Sequence, residues 1–438
     1  MENRASSPLA TRHSPLFVGI DCGTSGVRAI AIDGGTQIQG QAAVDLPRAP
    51  REGLGHTQDP LIWWRALEQV LDTLLNDLDR SRISALAVDG TSATLLLADA
   101  AGTPLGHALL YDDARASTAA ARIAAVAPAE SATRSATSSL AKLLYMLDQP
   151  GYALARHALH QADWIAGRLM GRYTHSDENN CLKLGYDPVA RTWPAWLMTL
   201  GVDPALLPWP TAPGKAIGLL SEPVAQRFGL STHVRVVAGT TDSTAAFIAT
   251  GAQHPGDAVT SLGSTLVVKV LSTQPVFAPE YGVYSHRLDD RWLVGGASNS
   301  GGAVLRQYFT PAQIDALTQR LNPATSTGLD YYPLCGIGER FPSNDPELRP
   351  RLTPRPDDDV VFFQGMLESI ARIERRGYEL LHRLGAPYPT SVRTVGGGAV
   401  NQAWKEIRAA LLGVPMLTPV QTEAAYGAAL LARQGGGA

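Results

Sequence analysis

Two aspartates stand where a β-strand is expected to end and the chain to turn. Asp21 follows the apolar stretch 16–20 and opens a glycine-rich turn, and Asp242 follows the stretch 236–241 and precedes a helical segment. An aspartate in such a place is often only a helix N-cap. Phosphoryl transfer, however, needs one carboxylate that organises a metal and another that accepts the proton of the attacking hydroxyl. Asp21 and Asp242 suit these roles if their two regions face each other.

Three glycine-rich turns, at 23–26, 263–265 and 396–398, could hold phosphate groups. Glycine lacks a Cβ, so the backbone N–H groups of such turns can come close to an anion. The third turn lies between a predicted strand and a helix that begins near Asn401, where the helix dipole favours negative charge. Each turn alone could be an ordinary turn, but the three together favour a nucleotide site. The sequence has neither a P-loop motif nor a dinucleotide fingerprint after the first strand.

Alternating strand-like and helix-like stretches predict an α/β architecture. Five positions around the first turn match five positions around the second, and the offset indicates two related domains that each open with a hairpin. The matched pairs, 240 residues apart, are Asp21 with Ser261, Gly23 with Gly263, Thr24 with Ser264, Ser25 with Thr265, and Val27 with Val267. Apolar residues at helical spacing predict helices over 60–78, 140–147, 360–384 and 402–412, and the segment 342–359 is predicted to be a surface loop.

The composition limits the class of protein. A chain of 438 residues with 45% apolar and 18% charged residues predicts two to three folded domains. A formal net charge of −3 argues against a nucleic-acid or membrane-surface partner, and no apolar run reaches the roughly 18 residues of a transmembrane helix. Three scattered cysteines are too few for a disulfide framework or a zinc site. We therefore expect reduced thiols and a cytoplasmic protein, or a plastid protein only if the source is a plant.

The segment 1–15 is polar and lacks the apolar core of a secretory signal. It is predicted to be a disordered tail.

Six motifs stand in an order that resembles the FGGY family of carbohydrate kinases. They are Gly-Ile-Asp-Cys-Gly-Thr-Ser at 19–25, Asp-Gly-Thr-Ser at 89–92, Gly-Thr-Thr-Asp at 239–242, Ser-Leu-Gly-Ser-Thr at 261–265, Gly-Gly-Gly-Ala at 396–399 and Glu-Ala-Ala-Tyr-Gly-Ala-Ala at 423–429. The resemblance covers the chain from Phe17 to Leu431. Blocks at 161–164, 182–186, 282–286 and 328–334 are similar to the short D-ribulose kinases, or xylulose-kinase-like proteins, of cyanobacteria and plant plastids.

The resemblance implies two RNase H-like domains of the actin-like ATPase superfamily around a central cleft. A sugar-binding domain would span 16–249 and an ATP-binding domain 250–422. A C-terminal helix over 423–434 would pack back on the first domain.

Carried over by motif, Asp242 is implied to be the general base on the sugar hydroxyl. Asp21 is implied to position Mg²⁺, through water, together with the transferring phosphate. The other residues implied to contact ATP or its phosphates are Thr24, Gly263, Ser264, Thr265, Asn299, Gly397, Gly398 and Asn401.

The sugar side departs from better-known relatives. Many xylulose kinases carry Gly-Gln-Met-His, whose Met and His contact xylulose, where this chain has Asp-Gly-Thr-Ser-Ala at 89–93. The arrangement here is similar to that of ribulose and ribitol kinases, which makes Asp89 and Ser92 candidate sugar contacts.

A second sugar motif of xylulose kinases, Trp-Asn-Asp-x-Arg, appears as Tyr-Asp-Asp-Ala-Arg at 111–115. Asp113 and Arg115 are therefore possible sugar contacts, although both could be solvated loop charges. The remaining candidate substrate contacts are Asp21, Ser25, Gly26, Arg28 and Asp242.

These observations predict an ATP- and Mg²⁺-dependent kinase of a small ketose. D-Ribulose, giving D-ribulose 5-phosphate, is the first expected substrate, D-xylulose the second, and ribitol or another pentitol the third. Its partners would be the sugar and ATP, with no nucleic acid and no membrane, and its oligomeric state is not specified. The rival interpretations are an actin-like ATP-binding regulator without sugar chemistry and an ATPase uncoupled from any acceptor. The presence of Asp242 beside the phosphate turns favours the kinase.

Overall fold

The structure is a computed structural model that describes residues 14–437, so most of the tail predicted over 1–15 lies outside the described residues. The strands are β1 (Leu16–Cys22), β2 (Gly26–Asp33), β3 (Ile38–Asp45), β4 (Arg51–Glu52), β5 (Gly55–Gln58), β6 (Ile83–Gly90), β7 (Leu95–Ala98), β8 (Ala108–Leu109), β9 (His157–His160), β10 (His175–Asp177), β11 (Trp209–Thr211), β12 (Ala216–Leu219), β13 (Arg235–Val237), β14 (Asp257–Leu262), β15 (Leu266–Ser272), β16 (Tyr284–Leu288), β17 (Arg291–Ala297), β18 (Ser391–Val395) and β19 (Met416–Leu417).

The α-helices are α1 (Pro60–Asn76), α2 (Ser117–Ala124), α3 (Ser139–Leu147), α4 (Gln161–Met170), α5 (Glu178–Cys181), α6 (Glu222–Phe228), α7 (Asp242–Ala249), α8 (Gly302–Tyr308), α9 (Pro311–Thr318), α10 (Asp359–Arg383), α11 (Gln402–Leu412) and α12 (Ala424–Gly436). Four of these, α1, α3, α10 and α11, lie where the apolar spacing predicts them. Their starts are set locally, because Asp59, Ser138, Asp358 and Asn401 each accept a hydrogen bond from a backbone N–H in the first turn.

Each domain is built on a six-stranded sheet, and the two sheets share one pairing pattern. The first has the order β12-β13-β6-β1-β2-β3 and the second β16-β17-β15-β14-β18-β19. In both, a hairpin (β1–β2 or β14–β15) pairs antiparallel with a third strand, and its first strand pairs parallel with the next one (β6 or β18). This common topology is the physical basis of the offset between the two glycine turns. The predicted fold class of two related α/β domains is confirmed.

The chain passes from the first domain to the second after α7 and returns before α12. Helix α12 packs on the first sheet, where Ala425, Ala429 and Ala432 join a buried cluster with Phe17. A Cβ on Gly19 of β1 would lie 2.0 Å from the carbonyl oxygen of Ala425. A glycine in the strand and alanines on the helix therefore allow this close approach.

A smaller sheet, of order β4-β5-β8-β7-β9, packs with α2 and α3 on the first domain and has a separate apolar cluster. No motif in the sequence predicts this layer. Within the described residues the three cysteines are free thiols, and no helix combines the length and apolar character that crossing a membrane requires.

Candidate active site

Three parallel strands of the first sheet, β1, β6 and β13, end at one edge. Asp21 and Asp89 lie near the ends of β1 and β6, and Asp242 follows β13 at the start of α7. Strand β6 lies between β1 and β13, and the register pairs Asp21 with Asp89. Thr241, directly before Asp242, bridges to Gly90 at the end of β6. Since the carboxyl ends of parallel strands meet at the same edge, the fold brings the two predicted catalytic aspartates together, with Asp89 between their strands.

Asp21 and Asp89 form a buried carboxyl pair. Asp89 is wholly buried, and no N–H or hydroxyl donor of the described residues reaches either of its oxygens. Burial raises the pKa of Asp89 well above its usual range, and the Asp21 charge raises it further. Burial also raises the pKa of Asp21 to about 6, although the hydrogen bond from Asp89 lowers it. Because burial raises the pKa of Asp89 more than that of Asp21, a proton that the pair retains lies on Asp89, in a hydrogen bond to Asp21.

This geometry corrects the expectation that Asp89 contacts a sugar hydroxyl directly. The side chain lies beneath Asp21 and has no exposed surface. Its role is to hold Asp21, which faces the cleft.

We expect Asp89→Asn to make the protein more stable at pH 8 and to change its stability little at pH 5. The raised pKa values mean that the folded state keeps protons that the unfolded state releases, so stability falls as the pH rises from about 4 through the folded pKa. Asparagine removes one titrating group and can still donate a hydrogen bond to Asp21. The gain at pH 8 should be about 1–3 kcal/mol, measured as the shift in thermal midpoint at the two pH values. Asp77→Asn, an exposed change of the same kind, is the control, and an equal loss of stability at both pH values would contradict the proton-sharing pair.

The first hairpin places further polar groups beside Asp21. The Arg28 guanidinium Nη1 lies 3.8 Å from Asp21 Oδ2, and its Nε lies 4.0 Å from Glu423 Oε2. Arg28 lowers the pKa of Asp21, whereas Glu423 raises it, both by less than burial does. Glu423, the N-cap residue of α12, belongs to a recognised motif but was not among the predicted site residues.

The other three hairpin residues divide into two groups. Thr24 and Ser25 are exposed at the tip, and their hydroxyls form no hydrogen bond within residues 14–437. Gly26 is buried at the start of β2, where a Cβ would lie 2.9 Å from the Val44 carbonyl oxygen. Glycine at position 26 therefore allows the close approach of β3, and the sugar contact of Gly26 stays a prediction.

Asp242 is the first residue of α7 and is half-buried. Its Oδ1 accepts a hydrogen bond of 2.6 Å from the backbone N–H of Ser243. Burial raises the pKa of Asp242, while the Ser243 N–H and the charges of Lys269 and Lys183 oppose that rise. A carboxylate of raised basicity at a helix N-terminus is suited to accept a proton.

The two lysines come from opposite domains. Lys269 on β15 donates a 2.8 Å hydrogen bond to the carbonyl oxygen of Ser243 and so ties the second sheet to the start of α7. Lys183, in the 3-10 helical turn Leu182–Leu184 of the first domain, stands 5.6 Å from the ring centre of Tyr284 on β16. The register sets Lys269, Gly295 and Tyr284 in one row across three strands, so both ammonium groups lie on the same face of the second sheet.

Burial lowers the pKa of Lys269 to about 8 and that of His286, near both lysines, to about 3. His286 is therefore neutral at pH 7. Sequence motifs gave no signal for Lys269, whereas His286 lies in the recognised block 282–286 but was not among the predicted site residues.

The segment 111–115 exposes Tyr111 and the predicted residue Arg115, but it buries the predicted residue Asp113. Asp113 is wholly buried and accepts hydrogen bonds from the His56 N–H at 2.8 Å and from Arg115 Nη2 at 2.8 Å. This ion pair braces the segment. Asp113 has no exposed surface for the predicted sugar contact, whereas Arg115 is exposed and its sugar contact stays a prediction. Tyr111 is 46% exposed. Burial raises the pKa of Tyr111, and the charges of Asp112 and Asp242 add to the rise.

Asp112 also stands on this side, with Oδ1 2.6 Å from His56 Nδ1 and Oδ2 bonded by Arg51. Tyr111 and Asp112 were within the recognised motif, but only burial shows which of its members are accessible.

Ser92 is partly exposed on the loop after β6, as a sugar contact requires. Buried lysine Lys142 holds this loop, because its Nζ donates to the carbonyl oxygens of Ala93 at 2.8 Å and Leu110 at 2.7 Å. Burial lowers the pKa of Lys142 to about 7. One side chain thus fixes the Ser92 loop against the segment that carries Tyr111.

A cavity of about 650 Å³ in the second domain unites most of the predicted nucleotide residues. Gly263, Ser264, Gly397, Gly398 and Asn401 line it, and apolar side chains of α8, α9 and α10 complete it: Leu305, Ile314, Phe363 and Leu367. An apolar slot beside a glycine turn is typical of an adenosine and phosphate site.

Two local features shape this cavity. A Cβ on Gly398 would lie 2.6 Å from the Trp404 ring and 2.8 Å from Leu262 Cβ, so the turn requires glycine there. The backbone N–H groups of Gly302 and Ala303 donate to the carbonyl oxygens of Gly263 and Ser264 and hold the phosphate turn against α8.

Thr265 and Asn299 do not line this cavity. Asn299 instead donates through Nδ2 to the carbonyl oxygen of Gly338 at 2.9 Å. Arg306, which sequence reasoning missed, does line the cavity, and its Nη2 donates to Ser264 Oγ at 2.9 Å.

Models of one known protein family match both domains of the chain. The N-terminal domain model of the FGGY family of carbohydrate kinases matches residues 16–249, and its C-terminal domain model matches residues 258–434. The chain belongs to the FGGY family of carbohydrate kinases. The predicted family and enzyme class are confirmed: this FGGY kinase is a phosphotransferase that acts on a sugar with ATP.

Several relatives resemble this FGGY kinase along most of their length. The xylulose kinase of Escherichia coli K12 is 25% identical over 91% of this chain and 85% of its own. That of Streptomyces coelicolor is 27% identical over 96% of this chain and 88% of its own. A crystal structure described as a xyloylose kinase from Brucella ovis superposes with a TM-score of 0.86 at 27% identity, covering 96% of this chain and 90% of that one.

The glycerol kinase of Plasmodium falciparum with ADP matches with a TM-score of 0.84 over 96% of this chain and 89% of its own. At 16% identity it shows a shared fold only.

Proposed function

We propose that this FGGY kinase transfers the γ-phosphoryl group of ATP to a hydroxyl of a pentulose, with Asp242 as the general base. The observation that carries the proposal is the meeting of Asp21, Asp89 and Asp242 at one sheet edge, in a chain whose other domain holds a cavity with a glycine phosphate turn. The names of the similar proteins, which are xylulose kinases, support a pentulose as the acceptor.

Asp242 takes the proton of the attacking hydroxyl as the oxygen approaches the γ-phosphorus. Its position at the start of α7, fixed by the Ser243 N–H and by Lys269 on the Ser243 carbonyl, sets the direction of attack. Lys183 and Lys269 supply positive charge on the face of the second sheet that is turned toward Asp242. Negative charge develops in this region during phosphoryl transfer.

Mg²⁺ is implied by the family, and the carboxyl pair fits it. Asp21 has an ionised carboxylate at the cleft, and Asp89 beneath it holds that carboxylate through a hydrogen bond. Within residues 14–437, no three His, Cys, Asp or Glu side chains form a group able to hold a metal. That suits Mg²⁺, which takes one or two carboxylates and otherwise phosphates and waters. When bound through Asp21, it would neutralise charge on the phosphate oxygens.

D-Ribulose is the acceptor that we favour. The motif at 89–93, which contains Ser92, lacks the Met and His that contact xylulose in many xylulose kinases. D-Xylulose is the second candidate, and the names of the relatives favour it.

An ADP-release assay with Mg²⁺ and ATP, run over D-ribulose, L-ribulose, D-xylulose, ribitol and glycerol, tests the proposal. We expect a pentulose to stimulate release strongly, with kcat/KM for D-ribulose roughly tenfold or more above the others. Turnover mainly on D-xylulose would keep the pentulose kinase and overturn the choice of D-ribulose. ADP release that no sugar stimulates would overturn the kinase proposal.

A further inference from the structure

A second cavity of about 650 Å³ lies at the opposite end of α7 from Asp242, where the two domains join. We call it the rear cavity. One wall comes from the first domain, through Ile248 of α7 and Arg433 of α12, and the facing wall from the second, through Leu271 and Arg291. None of the residues assigned to the kinase reaction lines it, so it is a separate site.

Two arginines give the rear cavity its chemistry. Arg291 and Arg433 each have a buried Nε–H with no acceptor among residues 14–437. The Arg433 guanidinium forms no hydrogen bond or ion pair with any residue in that range. Arg291 donates through Nη1 to the Gln253 carbonyl oxygen, and its Nε is 3.6 Å from Asp290, whose side chain is 92% exposed. A guanidinium group remains charged and has only hydrogen-bond donors, so these two arginines favour an anionic acceptor.

The remaining lining limits the class of anion. Asp289 is the one carboxylate that lines the rear cavity in the described chain, and Gln434 Nε2 lies 3.4 Å from each of its oxygens. Two guanidinium charges therefore face one carboxylate. The volume exceeds that of a bare phosphate and falls in the range of small-ligand pockets. Gln253 and His254 also line the cavity, and the side chains of Ile248, Leu271, Leu288 and Leu431 form an apolar wall that suits a carbon skeleton.

We propose that the rear cavity binds an organic phosphate monoester, whose phosphate oxygens accept from Arg291 and Arg433 and whose carbon portion lies on the apolar wall. The bound ligand bridges the two domains, because each arginine belongs to a different one. The planar guanidinium matches phosphate geometry better than an ammonium group would.

Occupation of the rear cavity acts on the catalytic edge through two helices. Helix α7 carries Asp242 at its first residue and lines the cavity with Ile248 near its end. Helix α12 begins after Glu423, beside Arg28, and lines the cavity with Arg433. A ligand that bridges the domains shifts the balance between open and closed arrangements of the cleft and so changes the KM for the sugar.

Calorimetric titration of the full chain, without ATP or sugar, tests the site with glycerol 2-phosphate and glucose 6-phosphate as probes. We expect one binding event per chain for at least one probe, and a Kd at least tenfold weaker in Arg433→Gln and in Arg291→Gln. Arg122→Gln, which removes an exposed arginine paired with Asp148, is the charge-matched control and should bind as the wild type does. No binding of either probe, or equal binding by wild type and Arg433→Gln, overturns the site.

The coupling has its own readout. A saturating probe should change the KM for the sugar at least twofold in the wild type and not in Arg433→Gln, whose activity without the probe is expected to be unchanged. Binding with an unchanged KM overturns the coupling and leaves the site. Because binding is measured without turnover, its failure is distinguishable from failure of the kinase proposal.

Discussion

Asp242→Asn is expected to lower the kcat of sugar-stimulated ADP release by roughly 10²–10⁴-fold while the protein folds and binds ATP as before. Asparagine keeps the shape of the side chain and an oxygen that can accept the 2.6 Å hydrogen bond from the Ser243 N–H. It cannot accept the proton of the sugar hydroxyl, so transfer must proceed without a base. The measurement is kcat under saturating ATP and sugar, with the thermal midpoint as the check on folding.

A pH profile separates a lost base from a disturbed structure. Burial raises the pKa of Asp242, so the wild-type rate should fall on the acid side as this carboxylate takes up a proton. The residual rate of Asp242→Asn should lack that acid limb. Asp77→Asn, at an exposed position, is the matched control and should keep the wild-type rate and profile. Normal turnover of Asp242→Asn would remove Asp242 from the mechanism.

Asp21→Asn is expected to lower kcat by roughly 10- to 100-fold and to raise the Mg²⁺ concentration that gives half-maximal rate. The physical reason is the loss of the one ionised carboxylate that the pair presents to the cleft. Asparagine leaves a neutral amide there, which attracts a hydrated cation weakly. The measurement is the rate of ADP release as a function of Mg²⁺ at fixed ATP.

Asp89→Asn is the matched control for this experiment, because it makes the same chemical change one strand away. Asp89 holds the proton of the pair and has no surface at the cleft. Its replacement should therefore leave kcat and the Mg²⁺ dependence within about twofold of wild type. Equal losses in Asp21→Asn and Asp89→Asn would contradict the division of roles between the two carboxyls.

Local signals in the sequence were enough to predict the family and the fold class, and the same signals point to Asp21 and Asp242 as the catalytic aspartates that we propose. Glycine turns after short apolar strands are encoded by neighbouring residues, and the turns at 23–26 and 263–265 open hairpins of the same pairing pattern. Helix starts are equally local, as Asn401 shows by capping α11 with its own side chain. The proposed nucleotide contacts near these turns, Gly263 and Gly398 among them, follow from the same signals, and both residues line the cavity of the second domain.

The tertiary structure alone decided which polar groups are accessible and how they are paired. Asp113 and Tyr111 belong to the same motif at 111–115. Packing buries the aspartate against Arg115 and leaves the tyrosine beside the cleft. Glu374 and Arg408 likewise form a buried ion pair between α10 and α11, and no sequence motif predicted this pair.

The same holds for the lysines on both sides of Asp242 and for the arginines of the rear cavity, which come from segments far apart in the chain. The burial and pairing of a polar group depend on which distant segments pack around it and exclude water. The spacing of residues along one segment does not specify these contacts. The sequence by itself therefore determined which chemical groups this kinase has for binding and phosphoryl transfer. The packing of its two domains decided where charge, protons and ligands can reside.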